Sequence, residues 1–316
     1  MSQTALLQQL RQETDPAAAQ KIALELLDSS RRREMIDAAM RTLEEADLDD
    51  SARAVLRRSA WHYFERNRDD TGGLLREKLL RMLGRIGHPD DKDLYLRGLA
   101  TYEIVPMMGE VTQNVRAVAL VALALNDPDL AAVYATKLLS EIDSTSQFNG
   151  EPAVTAINLL NRHSRTATIY QYLLLGGLDA IEAGQNEVVG KALESLGADF
   201  PVALYRELVD LFAGRDRAMV NMGIITHIVD NHVRDLYPVI DDIMNKTRHD
   251  ELHHYGAVML AASRDNELIE QLYAQVKLSP LHRIPNYIEA LELIPGDEKA
   301  GMLAWLQKRQ SKKRKA

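Results

Sequence analysis

The chain has 316 residues, of which 46% are hydrophobic and 27% charged, which excludes wholesale disorder and allows either two folded units or one extended repeat array. It contains no cysteine, which excludes disulfides and thiolate chemistry and fits a reducing compartment. The net charge of −8 includes a strongly basic end, with six Lys or Arg and no acidic residue from Lys308 to Ala316, so the body is more acidic than the total and disfavours broad binding to phosphate backbones.

The N-terminus, MSQTALLQQLRQETD, has no basic segment followed by an apolar stretch, so no secretory signal is expected. The longest apolar run is the nine residues Ala117 to Leu125, about half of the roughly 20 that a spanning helix needs. These features predict a soluble cytoplasmic protein, or a nuclear one if the organism has a nucleus.

Residues 1–70 read as an irregular helical capping region of about two helix pairs. Asp15-Pro16 opens one helix, Asp49-Asp50-Ser51 caps another, and Val55, Leu56, Trp61 and Phe64 keep a helical spacing. From 71 to 309 the chain repeats. Six tyrosines each follow an aliphatic residue: Tyr95, Tyr134, Tyr170, Tyr205, Tyr237 and Tyr273, at intervals of 39, 36, 35, 32 and 36 residues, and Trp305 stands 32 residues further on. Three or four positions after each tyrosine comes Leu99, Leu138, Leu174, Leu208, Ile240 or Val276, which puts each pair on one helical face. The rings are expected to pack between helices. Turn signals precede these helices, among them Gly87-His88-Pro89-Asp90, Asn126-Asp127-Pro128-Asp129, Gly197-Ala198-Asp199, Arg264-Asp265-Asn266 and Pro295-Gly296-Asp297. Gly or Asn closes one helix, and Pro with Asp opens the next. Nothing in the pattern argues for strands.

The segments Leu83-Gly84-Arg85-Ile86-Gly87-His88-Pro89-Asp90 and Ala122 to Asp129 resemble the inter-helix signature of HEAT-like repeats, including those of the bilin-lyase type. The resemblance covers seven units over 71–309. It implies an all-α fold, a right-handed α-solenoid (superhelix) of helix pairs, and a surface that binds another macromolecule.

Two connections between units are longer than the rest. Residues 104–114 put Pro106, Met107 and Met108 outside the helical pattern, and residues 141–152 place Phe148 in a polar stretch. Both fall on one edge of the expected array, where insertions mark a working face. Pro106, Met107, Met108 and Phe148 are therefore the candidate partner-binding residues. His249 and His253, four apart, share a helical face as metal ligands do, but a helix start explains these polar residues without a metal. The chain lacks a phosphate-cradling Gly-rich loop, a Gly-x-Ser-x-Gly elbow, a calcium loop, and the His-Glu dipeptides of HEAT-fold di-iron hydroxylases. No catalytic residue, cofactor or metal is predicted. Residues 310–316 are expected to form a disordered tail, with Lys312, Lys313, Arg314 and Lys315 as an electrostatic arm that could meet nucleic acid.

Together these features predict a protein-interaction scaffold or adaptor, binding through the second helices and the long-loop edge. The alternative is a HEAT-fold nucleic-acid-binding protein or DNA glycosylase-like enzyme, which would need a basic concave groove.

Overall fold

Several helices begin at a side chain that satisfies the backbone groups a helix end leaves open, as the α-helices starting after Ser2, Asp15, Asp49, Asp127 and Asp265 do. The computed structural model describes residues 2–296 and 299–313. Among these, eighteen α-helices alternate with short turns. None is long and apolar enough to cross a membrane. The helices fall into two compact units, Met1–His163 and Ser164–Ala316.

The first unit holds α1 (Gln3–Gln12), α2 (Pro16–Ser29), α3 (Arg33–Glu45), α4 (Asp50–Glu65), α5 (Leu74–Ile86), α6 (Lys92–Leu99), α7 (Gln113–Asn126), α8 (Pro128–Leu139) and α9 (Ala153–Arg162). The start signals act as capping chemistry demands. Asp15 accepts the Ala18 N–H at 2.8 Å ahead of Pro16, and Asp49 accepts from Ser51 at 3.0 Å. Gly87 ends α5 at φ 73°, a left-handed conformation that costs glycine nothing. Helix α5 packs on α7, and α7 on α9, while α6 and α8 lie against these. The turns also tie helices together. Buried Asp91, just before α6, accepts from Arg53 at 2.9 and 3.0 Å and from Arg57 at 2.8 Å, both on α4. Asp127, which caps α8, accepts from Lys92 at 2.7 Å.

The second unit holds α10 (Thr166–Glu182), α11 (Asn186–Glu194), α12 (Val202–Phe212), α13 (Ala218–Asp230), α14 (Tyr237–Lys246), α15 (Asp250–Ala262), α16 (Asn266–Leu278), α17 (Ile284–Glu292) and α18 (Lys299–Lys313). Here α11 packs on α13, α13 on α15, and α15 on α17. The α11–α13 crossing depends on two glycines. A Cβ on Gly223 would stand 2.0 Å from the Gly190 carbonyl oxygen, and one on Gly190 would stand 2.2 Å from that of Met219.

The aromatic series falls on α6, α8, α10, α12, α14, α16 and α18, one ring on every second helix. Tyr95, Tyr205 and Tyr237 are buried, and Tyr134, Tyr170 and Tyr273 are half-buried. Trp305 is the more exposed member and lies under the Arg309 guanidinium. Leu174 departs from the expected pattern. It faces solvent, while Tyr172 and Leu173 turn into the core of α10. The terminal helix carries the chain to Lys313, beyond the point where the sequence reading starts a tail; Arg314 and Lys315 lie outside the described residues.

Candidate functional site

The first long connection is a β-hairpin rather than an irregular loop. Strands β1 (Ile104–Val105) and β2 (Gly109–Glu110) pair antiparallel, Ile104 with Glu110 and Val105 with Gly109. Two residues per strand are too few for any alternation to register in the sequence. The turn follows from Pro106, whose ring presets the first turn position. The Met108 N–H donates to the Val105 carbonyl at 3.1 Å, and Met107 takes φ 68°, the arrangement of a type II turn. A non-glycine residue there costs about 1–2 kcal/mol, so the surrounding structure must hold the turn in place.

Two arginines near the hairpin's base are almost wholly buried. Arg76 on α5 reaches both carboxylate oxygens of Glu103, just before β1, and donates to Asp70 at 3.1 Å. Arg116 on α7 donates to Glu110 of β2 at 2.7 Å, to the Thr101 carbonyl at 2.8 Å and to the Ser144 carbonyl at 2.6 Å. Its guanidinium lies 4.2 Å from the centre of the Tyr102 ring, a favourable cation–π placement. Glu110 also accepts from the Thr112 N–H and hydroxyl. Burial pushes the Glu110 carboxyl up, but the bonds from Arg116 and Thr112 outweigh it and hold it below its ordinary value. Ser144 belongs to the second long connection, so Arg116 fastens both edge loops to α7.

Each predicted loop residue faces water. Met107 is fully exposed, Met108 is 74% exposed and Phe148 96%, with Pro106 exposed between them and β1. Neither methionine fills a gap between helices. Ile104, at the start of the hairpin, is exposed as well, and its neighbours in sequence gave no sign of it. The histidine pair does not come together. His249 precedes α15 and is hydrogen-bonded to the Asp216 carbonyl at 2.9 Å. His253 is buried and meets the edge of Tyr287. Among the described residues no three His, Asp or Glu side chains gather as a metal-holding group.

A trough beside the second loop, in the first unit, has no signature in the sequence. Its cavity of about 630 Å³ is lined by Glu77, Arg81 and Arg85 of α5, by Val118, Val121 and Leu125 of α7, and by the loop residue Asn149. A smaller cavity of about 250 Å³ continues it over α9 as far as Arg162 and His163, sharing Val121, Leu125 and Thr155. The floor dips where Gly84, Ala117 and Ala122 line it. A Cβ on Gly84 would lie only 3.0 Å from that of Ala122, so α5 and α7 run close together. Along α7, Asn114, Val118, Val121 and Leu125 form one stripe at helical spacing; Val121 is 50% exposed and Leu125 67%.

No protein-family model, curated protein or solved structure matches the chain.

Proposed function

We propose that the chain is a HEAT-like α-solenoid scaffold that binds a protein partner through the edge formed by its two long connections. One ring on every second helix, and alternate helices packed on one another within each unit, support the repeat reading. The hairpin carries the binding reading. Buried ion pairs are weak sources of net stability, yet here two of them fix a turn that projects Met107 and Met108 into water. Flexible thioether side chains of this kind suit contact with varied apolar surfaces. An exposed apolar cluster on a rigid support is the usual form of an interface anchor.

The test is Met107→Ser with Met108→Ser. Both side chains are solvated, so stability changes within about half a kcal/mol. Capture of the native partner, identified with the wild-type chain and then titrated as a purified protein, falls by roughly tenfold or more, as loss of an anchor requires. Unchanged affinity refutes the hairpin's role.

A further inference from the structure

The trough over α7 has a definite direction. Gly73 of the α5 start lies beside Val115 and Thr112, and Gly84 near the α5 end lies beside Ala122, so α5 and α7 run parallel and in register. Asn149, ahead of α9, donates to Asn114 at the start of α7 at 3.3 Å, and the second cavity brings Arg162 of α9 to Leu125 at the α7 end. One end of the trough is therefore Glu77, Asn114, Asn149 and Glu151, and the other is Arg85, Leu125, Arg162 and His163.

The charges at the two ends are not equally satisfied. Glu77 is paired with Arg81, and Glu151 accepts the Thr155 N–H at the start of α9 at 3.2 Å. Arg85 donates to the carbonyls of Glu44 and Ala46 at 2.9 and 2.7 Å, acceptors that satisfy its hydrogens but carry no net charge. Arg162 is exposed, and no ion pair involves it among the described residues. The basic end thus presents two cations with no carboxylate partner among the described residues, on either side of an open apolar stripe.

An apolar floor with polar walls takes one face of an amphipathic helix, whose side chains at three- and four-residue spacing match the α7 stripe. Nucleic acid fits it poorly, since the floor offers Val121 and Leu125 and the far wall offers carboxylates. We propose that the trough docks a single amphipathic α-helix of the partner protein, with the aliphatic face of that helix on Val118, Val121 and Leu125 and its acidic end over Arg85 and Arg162. The proposal rests on the protein-binding reading but uses a surface the hairpin test does not touch.

The probes are three labelled peptides of about 18 residues, roughly 27 Å long as helices. One carries leucines at helical spacing and glutamates at one end; a second has lysines in place of the glutamates; a third is a scramble of the first. Each is titrated against the full chain by fluorescence anisotropy, alongside a labelled single-stranded DNA oligomer. The glutamate peptide binds best, and the lysine peptide is weaker by about tenfold. Val121→Glu with Leu125→Glu, both at solvated positions, weakens the glutamate peptide by roughly tenfold or more while the circular dichroism melt is kept. Arg85→Glu with Arg162→Glu reverses the preference towards the lysine peptide, a result that misfolding cannot produce. The proposal is overturned if the glutamate peptide does not bind, if the scramble binds equally, if the Val121/Leu125 variant keeps full affinity, or if the DNA displaces the peptide. If the peptides fail while partner capture still depends on Met107 and Met108, the trough proposal falls and the functional reading stands.

Discussion

Arg116→Met isolates the support beneath the hairpin. The substitution keeps an unbranched apolar stem of similar length but removes a guanidinium with no solvent exposure. Glu110, whose side chain is 8% exposed, then keeps its Thr112 bonds but loses its cation, and the Ser144 carbonyl loses its donor. Removing one partner of a buried pair costs about 3–5 kcal/mol. Adding Glu110→Gln removes the stranded charge while keeping an acceptor for Thr112, and recovers about 2 kcal/mol of that cost. Urea unfolding followed by Trp61 fluorescence reports on the first unit once Trp305, the other tryptophan, is replaced by Phe. The pH dependence gives a second check. In the wild type the Glu110 carboxyl sits below its ordinary 4.5, so its contribution is present above 4.5 and is lost as pH falls through the lower folded value. In Arg116→Met the same carboxyl is buried without a cation and rises above 4.5, so protonation then favours the folded state. The gap between the two proteins therefore narrows as pH is lowered from neutral towards 4.5. A cost below about 1 kcal/mol, or a gap that does not change with pH, refutes the argument.

Gly223→Ala sets a methyl against the Gly190 carbonyl and forces α11 from α13, so it destabilises by about 3 kcal/mol, read as a lower melting temperature; Gly197→Ala, with open space but φ 80°, costs about 1 kcal/mol. Burial lowers the pKa of His227 and of His253 to about 4 from 6.5. Each therefore contributes stability that is present above 6.5 and lost as pH falls towards 4, up to about 3 kcal/mol apiece; His227→Phe, which keeps a ring against Tyr205, flattens that slope in urea midpoints taken across the range. Met107→Gly relieves the positive φ and is neutral or stabilising by about 1 kcal/mol, while partner affinity falls. Small-angle scattering tests the solenoid, since a compact 316-residue chain has a radius of gyration of about 20 Å and an extended array exceeds it clearly.

What the sequence made legible was whatever local chemistry decides. Asp15, Asp49, Asp127 and Asp265 cap helices where they were read to do so, because a cap needs only its own neighbouring N–H groups. That Met107, Met108 and Phe148 stand outside any helical face was legible, but whether the two methionines met water or filled a gap between helices was decided only by the fold. What escaped depends on residues far apart in the chain. Arg76 and Arg116 look like solvated charges until Glu103 and Glu110 are brought to them by the hairpin. Leu174 keeps helical phase with Tyr170, yet a helix position faces the core only if a neighbour covers it.

The trough makes the same point most directly. The run from Ala117 to Leu125 is apolar on every side of its helix, and such a helix is ordinarily buried on every side. Periodicity inside the run cannot say which stripe stays open, because the answer belongs to the helices on either side. Gly84 lets α5 approach on one flank, and α9 covers the other. Between them Val121 and Leu125 stay half or more exposed, bordered at one end by Arg85 and Arg162, which form no ion pair among the described residues. An apolar stripe of that kind is costly to leave in water, and its persistence beside Arg85 and Arg162 is what singles it out from the ordinary scatter of exposed aliphatics elsewhere on the chain.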